Sequence, residues 1–326
     1  MESAVVAVSL VVPSYKRSRV VMRCLESIQH QTLANFELLL VDNSPEAELR
    51  TLVADFNETA PKKARYVPEP RLGLHHARHA GARAATGDVL VFTDDDAGFD
   101  PDWLAAYARC FGSHPEMAAA GGPIRPAWES PPPDWLTVFM RADPTMFPVL
   151  SLLDLSREFQ LRHDGIFFGV NMAIRRDALF EAGGFNPEIF GDRWLGDGET
   201  GLNRKLWARG HMIGYVPDAL VYHYVPPERM TVAYLRRRQA SDGACDMYAR
   251  FHDNMPSVAG LTYAAVAIVV DSARDWMAEP LFRGRTDPRA LRVQMRAARA
   301  RSRLHYVLRL MVNPGLRALV TQRDWL

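Results

Sequence analysis

The stretch VLVFTDDDAGFDPDW, residues 89–103, decides the fold. Four apolar residues, Val89 to Phe92, are followed almost at once by Asp94, Asp95 and Asp96. A short apolar run bounded by polar residues reads as a strand covered on both faces, as in parallel sheets. Three crowded carboxylates repel one another and raise each other's pKa unless a cation or an array of donors offsets the charge. A positive partner is therefore expected where this strand ends.

Upstream, the chain alternates apolar runs with helical patterns. VVAVSLVVP (5–13) reads as a first strand, and residues 19–31 as a helix with Val20, Cys24, Leu25 and Ile28 on one face. FELLLVD (36–42) is a strand, 47–56 a helix, ARYVPEP (64–70) a short strand, and 75–85 a helix leading into DVLVFTD (88–94). This alternation marks βαβ units and an α/β fold with a mostly parallel sheet flanked by helices. Ligands of such sheets bind beyond the carboxyl ends of the strands. Pro13-Ser14-Tyr15, Asp42-Asn43 and the aspartate triplet should therefore converge on one crevice.

Downstream, PIRPAWESPPPDWL (123–136) is rich in proline and aromatic residues and reads as a surface connection and candidate lid. Residues 165–185 read as strand, helix and Gly-rich turn, 196–210 open a helix, and 212–226 return as strands. A helical C-terminal region begins near Met230. The expected organisation is one α/β domain over 1–230, with halves of about 1–125 and 126–230, then helices over 231–326.

The 326 residues, 48% hydrophobic and 24% charged, suffice for a large α/β core, and the net charge of +1 gives no reason to expect a nucleic-acid partner. Cys24, Cys110 and Cys245 lack CxxC spacing, which fits a reducing compartment, and the acidic Glu2 does not suit a signal peptide. A cytoplasmic location is expected. The apolar run 258–270 is shorter than the roughly 20 residues of a spanning helix and reads as a packed helix or a dimer contact. From Leu281 onward, eleven arginines face two aspartates, which suggests an amphipathic basic helix. Its face is either solvated or in contact with anionic lipid at the inner membrane surface or with a phosphorylated acceptor.

Asp94 and Asp96 offer hard oxygen ligands suited to Mg²⁺ or Mn²⁺ bridging a diphosphate, and the alternative is a solvated turn. The ordered set VSLVVPSYKR, LLLVDNS, RLGLHHARHAGARAATGDVLVFTDDD, FGVNMAIRRDAL with AGGF, GDGETGLNRKLWARG and VYHYVPPERMTVAYLRRR resembles family 2 glycosyltransferases of the GT-A fold over roughly residues 8–240. The resemblance implies an inverting enzyme that moves one sugar from a nucleoside-diphosphate sugar to a hydroxyl acceptor. It makes 1–230 the catalytic domain, with a nucleotide-binding half over about 1–125 and an acceptor half over about 126–230. It assigns Pro13, Ser14, Tyr15 and Arg17 to the first nucleotide-contacting loop, Asp42 to the base ring with a helix or turn cap as its alternative, Arg78 to the nucleotide's surroundings and Asp95 to the ribose.

The same resemblance makes Asp94, Asp96 and His223 the Mn²⁺ or Mg²⁺ site, with a strand-end histidine capped by backbone as the alternative for His223, and gives Gly169, Asn171 and the Gly183-Gly184-Phe185 turn to the donor and acceptor pocket. Arg229 and Arg236 to Arg238 follow as a phosphate clamp, the last three having a solvated helix face as their alternative. His79 stands where the family usually has Asn. An inverting transfer needs one carboxylate to take the acceptor proton. The resemblance puts Glu199 at that place, with Asp197 as competitor and helix capping as the other use of both. A non-catalytic nucleotide-sugar-binding module, a sugar-nucleotide nucleotidyltransferase and an aspartate-nucleophile phosphatase remain as alternatives.

Overall fold

The computed structural model describes residues 6–44, 47–190, 193–194 and 196–326. The first half follows the alternation of its apolar runs: β1 (Val8–Ser14), α1 (Ser18–Gln29), β2 (Glu37–Asp42), α2 (Ala47–Thr59), β3 (Ala64–Pro68), α3 (Leu74–Ala84) and β4 (Val89–Phe92). The expected start of the first strand, residue 5, lies outside the described residues. Next come β5 (Ala97–Phe99), α4 (Trp103–Ser113), β6 (Met117–Gly121), β7 (Ile124–Trp128), α5 (Asp134–Ala142), β8 (Gln160–Arg162), β9 (Met172–Arg175) and α6 (Arg176–Glu181). The short pair β10 (Ile189–Phe190) and β11 (Arg193–Trp194) precedes α7 (Gly198–Ala208), β12 (Met212–Tyr215) and β13 (Val221–Val225).

The main sheet has the order β3-β2-β1-β4-β9-β6-β12-β8. It is parallel except at β9, which runs against β4 and β6, and at β8, which runs against β12. Alternate side chains of each strand enter opposite cores, because successive Cβ atoms point to opposite faces. Leu10, Val12, Leu38, Leu40, Val89 and Val91 pack on one side. Val11, Leu39, Val41, Leu90 and Phe92 pack on the other with Ala77 of α3 and Leu202 of α7. Each large side chain fully buried this way stabilises the fold by about 1.5–3 kcal/mol before entropy is subtracted. Strand order turns around at β1, between β2 and β4, so a crevice opens beyond their carboxyl ends.

A smaller sheet, β5-β13-β7, stands beside this crevice. It corrects the reading of 123–136 as a loop and lid: Ile124 to Trp128 pair with Val221 to Val225, and α5 begins at Asp134. Pro126 is tolerated because β7 is an edge strand whose other side needs no ladder hydrogen bonds.

The C-terminal helices are α8 (Val232–Phe251), α9 (Val258–Phe282), α10 (Pro288–Val312) and α11 (Pro314–Thr321). Leu235, Leu291 and Met295 join the main core, while Tyr248, Leu261, Ile268, Val307 and Leu316 form a core of the arm's own. The expected packed helix over 258–270 is packed on one side only: Leu261, Ala264 and Ile268 are buried, whereas Tyr263, Val266 and Val270 are exposed. The basic face of α10 is largely matched within the protein, with Arg292 on Asp143, Arg296 on Asp275, Arg299 and Arg303 on Asp246, and Arg301 on Glu279. Among the described residues, no helix is long and apolar enough to cross a membrane.

Candidate active site

The chain leaves β1 at Ser14, and its hydroxyl donates to Asp95 Oδ2 at 2.8 Å. Lys16 then takes a φ of +53°, uncommon for a side-chain-bearing residue, before α1 begins. Arg17 donates through Nη1 to Asp95 Oδ1 at 3.0 Å and to Asp96 Oδ2 at 3.2 Å. Arg229, in a turn after β13, donates to Asp96 Oδ2 at 2.6 Å. Arg78, in α3 and only 2% exposed, places Nη2 3.3 Å from Asp94 Oδ1. The positive partners expected at the end of β4 are thus three guanidinium groups, each planar fork suited to carboxylate or phosphate oxygens.

These neighbours split the triplet electrostatically. Burial raises Asp95 to about 6, against the opposing pull of Arg17 and Ser14. Burial acts the same way on Asp96, but the charges beside it, Arg229 and Arg17 among them, outweigh it and hold that carboxyl far below its ordinary range. Asp94 is pushed up by burial, with Arg78 opposing.

His223, on β13, donates from Nδ1 to the Leu150 carbonyl at 3.0 Å. Its Nε2 accepts from Arg229 Nη1 at 2.8 Å and lies 3.6 Å from Asp96 Oδ1. A carbonyl holding one ring nitrogen leaves the other as a fixed lone pair, the arrangement common in metal-binding histidines. Carboxylate oxygen beside imidazole nitrogen suits Mn²⁺ or Mg²⁺. The expected metal trio is gathered only in part. Asp96 and His223 meet, Asp94 turns to Arg78, and among the described residues no three His, Cys, Asp or Glu converge as a ready cage.

Asp42 lies beside Ser14 at the end of β2 and is fully buried. Its carboxylate accepts from the Ser44 backbone N–H at 2.9 Å and the Tyr66 hydroxyl at 2.8 Å. Pro13 is inside the sheet, opposite Val41, whereas Tyr15 is 46% exposed at the mouth of the crevice. The neighbouring Asn43 carries more structure than its sequence suggested. Its amide donates to the Glu69 and Arg71 carbonyls and its oxygen accepts from the Gly73 N–H, pinning the loop that leads into α3 and Arg78.

Arg78 also reaches the other half of the site, with Nη1 3.5 Å from both Glu188 Oε1 and Glu199 Oε2. Gly169 lies so close to Arg78 that a Cβ there would overlap the guanidinium. Burial raises the Glu199 carboxyl, but the hydrogen bond with Glu188 and the charge of Arg78 more than offset it, to about 2. Asp197 accepts from Asn186 Nδ2 at 2.8 Å and from Arg204, and does not cap α7 with its side chain. Both its oxygens are engaged away from Arg78, whereas Glu199 and Glu188 face that guanidinium.

One further expectation changes. Asn171 is fully buried, with its amide on the Pro123 and Ala219 carbonyls and its oxygen taking Trp103 Nε1 and Tyr107 OH. It fastens α4 to the two sheets and has no capacity left for a substrate. His79 accepts from the Phe185 N–H at 2.8 Å, holding the Gly183-Gly184-Phe185 turn against α3. Of the arginine run on α8, Arg238 is half-buried and acts on Glu188 and Glu199 through its charge, whereas Arg236 pairs with Glu279. Glu188 had no sequence signal, since it reaches the site only through the fold.

The sheet order, the smaller sheet beside the crevice and the strand-end aspartates define a GT-A glycosyltransferase. The model described as glycosyl transferase family 2 matches residues 9–182, over half of the protein, and the chain belongs to that family. Among curated relatives, the glucosyl-dolichyl phosphate glucuronosyltransferase of Haloferax volcanii is 28% identical over 66% of this chain and 68% of its own length. The succinoglycan biosynthesis protein ExoM of Rhizobium meliloti is 27% identical over 74% and 75%. Among solved structures, the mannosyltransferase PcManGT of Pyrobaculum calidifontis, in complex with GDP-Man and Mn²⁺, aligns with a TM-score of 0.57 at 22% identity over 90% of this chain and 86% of that one. GalNAc-T7 with UDP, GalNAc and Mn²⁺ aligns at 0.52 and 18% identity, over 82% of this chain and 51% of that one. At these identities the structural likeness speaks for the fold.

Proposed function

We propose that this glycosyltransferase moves one hexosyl or deoxyhexosyl unit from a nucleoside-diphosphate sugar to a hydroxyl of a glycan, lipid-linked or small-molecule acceptor, with inversion in a single displacement. The observation that carries the reading is the line of charge through Arg78, which joins the aspartates at the end of β4 to Glu199. The Arg17, Arg78 and Arg229 forks would take diphosphate oxygens, with Asp42, Ser14, Tyr15 and Asp95 around the nucleoside. Asp96 and His223, with Asp94, would hold Mn²⁺ or Mg²⁺, which when bound offsets charge on the leaving diphosphate. The Mn²⁺ in the two aligned structures supports this choice of ion.

Glu199 is the general base. It accepts the acceptor's proton as that oxygen bonds to the anomeric carbon, and the sugar–phosphate bond breaks with its electron pair leaving on the diphosphate. Alignment of the reacting atoms and prearranged positive charge supply most of the acceleration. Three cysteines without disulfides, Cys24, Cys110 and Cys245, support a cytoplasmic setting. The test is a panel of nucleotide sugars assayed for Mn²⁺-dependent transfer or slow hydrolysis. Turnover that disappears in Glu199→Gln while donor binding persists supports the reading, and donor binding without any turnover in the native protein argues for a binding module instead.

A further inference from the structure

The entrance to α7 carries a second carboxyl that the proposed chemistry does not use. Glu188, just ahead of β10, shares Arg78 with Glu199: one carboxylate oxygen of each lies 3.5 Å from the same Nη1. The backbone makes room for this contact. Gly198 has a φ of +47°, and a Cβ on it would overlap the Glu188 carboxylate, so any larger residue there would drive Glu188 out. Two neighbouring carboxyls on one guanidinium nitrogen are best satisfied when they share one proton, since double ionisation would set like charges side by side.

We infer that Glu188 is a positioning residue whose protonated carboxyl donates a hydrogen bond to Glu199, keeping that base ionised and aimed at the acceptor. This rests on Glu199 being the base of the proposed transfer. The charged groups facing the pair are Arg78 from α3, Asp94 from the end of β4 and Arg238 from α8. Burial and Glu199 together push Glu188 well above the ordinary carboxyl range, in keeping with the geometry. The protons balance: before transfer the pair holds one, on Glu188. After the acceptor oxygen has bonded to the sugar the pair holds two, and Glu199 then returns one to water.

Two variants of the full chain separate positioning from packing. Glu188→Gln keeps the shape and a donor but cannot ionise, while Glu188→Ala removes the donor. Infrared or carboxyl ¹³C NMR titration should show one buried carboxyl still protonated at neutral pH in the native protein and missing in Glu188→Gln. In a transfer assay, Glu188→Gln should stay within about threefold of native kcat, and Glu188→Ala should lose about tenfold or more at unchanged donor KM. The acid limb of the kcat–pH profile should move to higher pH in Glu188→Ala alone. A neutral-pH carboxyl signal that survives Glu188→Gln, or equal kcat and equal acid limbs in the two variants, would overturn the inference. If the native protein transfers no sugar, that result counts against the proposed function, and the titration alone decides the role of Glu188.

Discussion

A single side chain, Arg78, joins the two halves of the site, and its burial is what makes it specific. A guanidinium only 2% exposed can persist only with close carboxylates, and it has Asp94, Glu188 and Glu199. Removing either end of this line has a distinct expected effect. Glu199→Gln should lower kcat by about 10²- to 10⁴-fold, as loss of a general base does, with donor affinity by calorimetry little changed. Asp96→Asn should instead weaken Mn²⁺-dependent donor binding by about 10- to 100-fold, because Arg17, Arg229 and His223 lose the carboxylate they share. At this scale the sequence was legible where residues are close in number: the DDD run announced a cationic partner. It could not say which cation, since Arg17, Arg78 and Arg229 come from three distant places in the chain. Nor could it expose Glu188, or show that Asn171 is consumed by four hydrogen bonds.

Elements matter here chiefly as holders of these side chains. Helix α3 carries Arg78 and His79 on one turn, and the connection from β8 to β9 presses against the guanidinium at Gly169. Gly169→Ala should therefore displace Arg78 and lower both kcat and thermal stability, whereas a change at the exposed Leu72 should do neither. The βαβ elements of the first half were readable because buried parallel strands are continuous apolar runs, as in Val89 to Phe92. Edge strand β7 was not, because Pro126 and the proline-rich stretch that follows it imitate a loop, and its strand character comes only from pairing with β13 almost a hundred residues later.

On the scale of the whole molecule, the C-terminal arm is fastened to the catalytic domain by shared core residues and by Arg292 on Asp143, while its other paired arginines meet carboxylates on the arm's own helices. A helix that reads as basic in sequence is therefore largely neutralised in the fold, a pairing that one-dimensional spacing cannot reveal. The protein end of this arm also covers buried imidazoles: Trp325 stands edge-on to His75, with ring centres 5.8 Å apart. Burial holds His75 and His79 down to about 3, below the ordinary value near 6.5. The unfolded chain then binds more protons than the folded one between those values. Stability is fully present above about pH 6.5 and falls as pH drops toward 3, by at most about 1.4 kcal/mol per pH unit for each histidine. His75→Phe should flatten this loss in denaturant titrations at pH 4 to 6, since neither His75 ring nitrogen has a hydrogen-bond partner to lose among the described residues.

The most direct test is a crystal structure of the protein grown with Mn²⁺ and a nucleoside diphosphate. The expected result is an ion ligated by Asp96 and His223, and a diphosphate on Arg17, Arg78 and Arg229. A diphosphate seated elsewhere, with those three arginines still bound only to the protein's own carboxylates at saturating ligand, would contradict it.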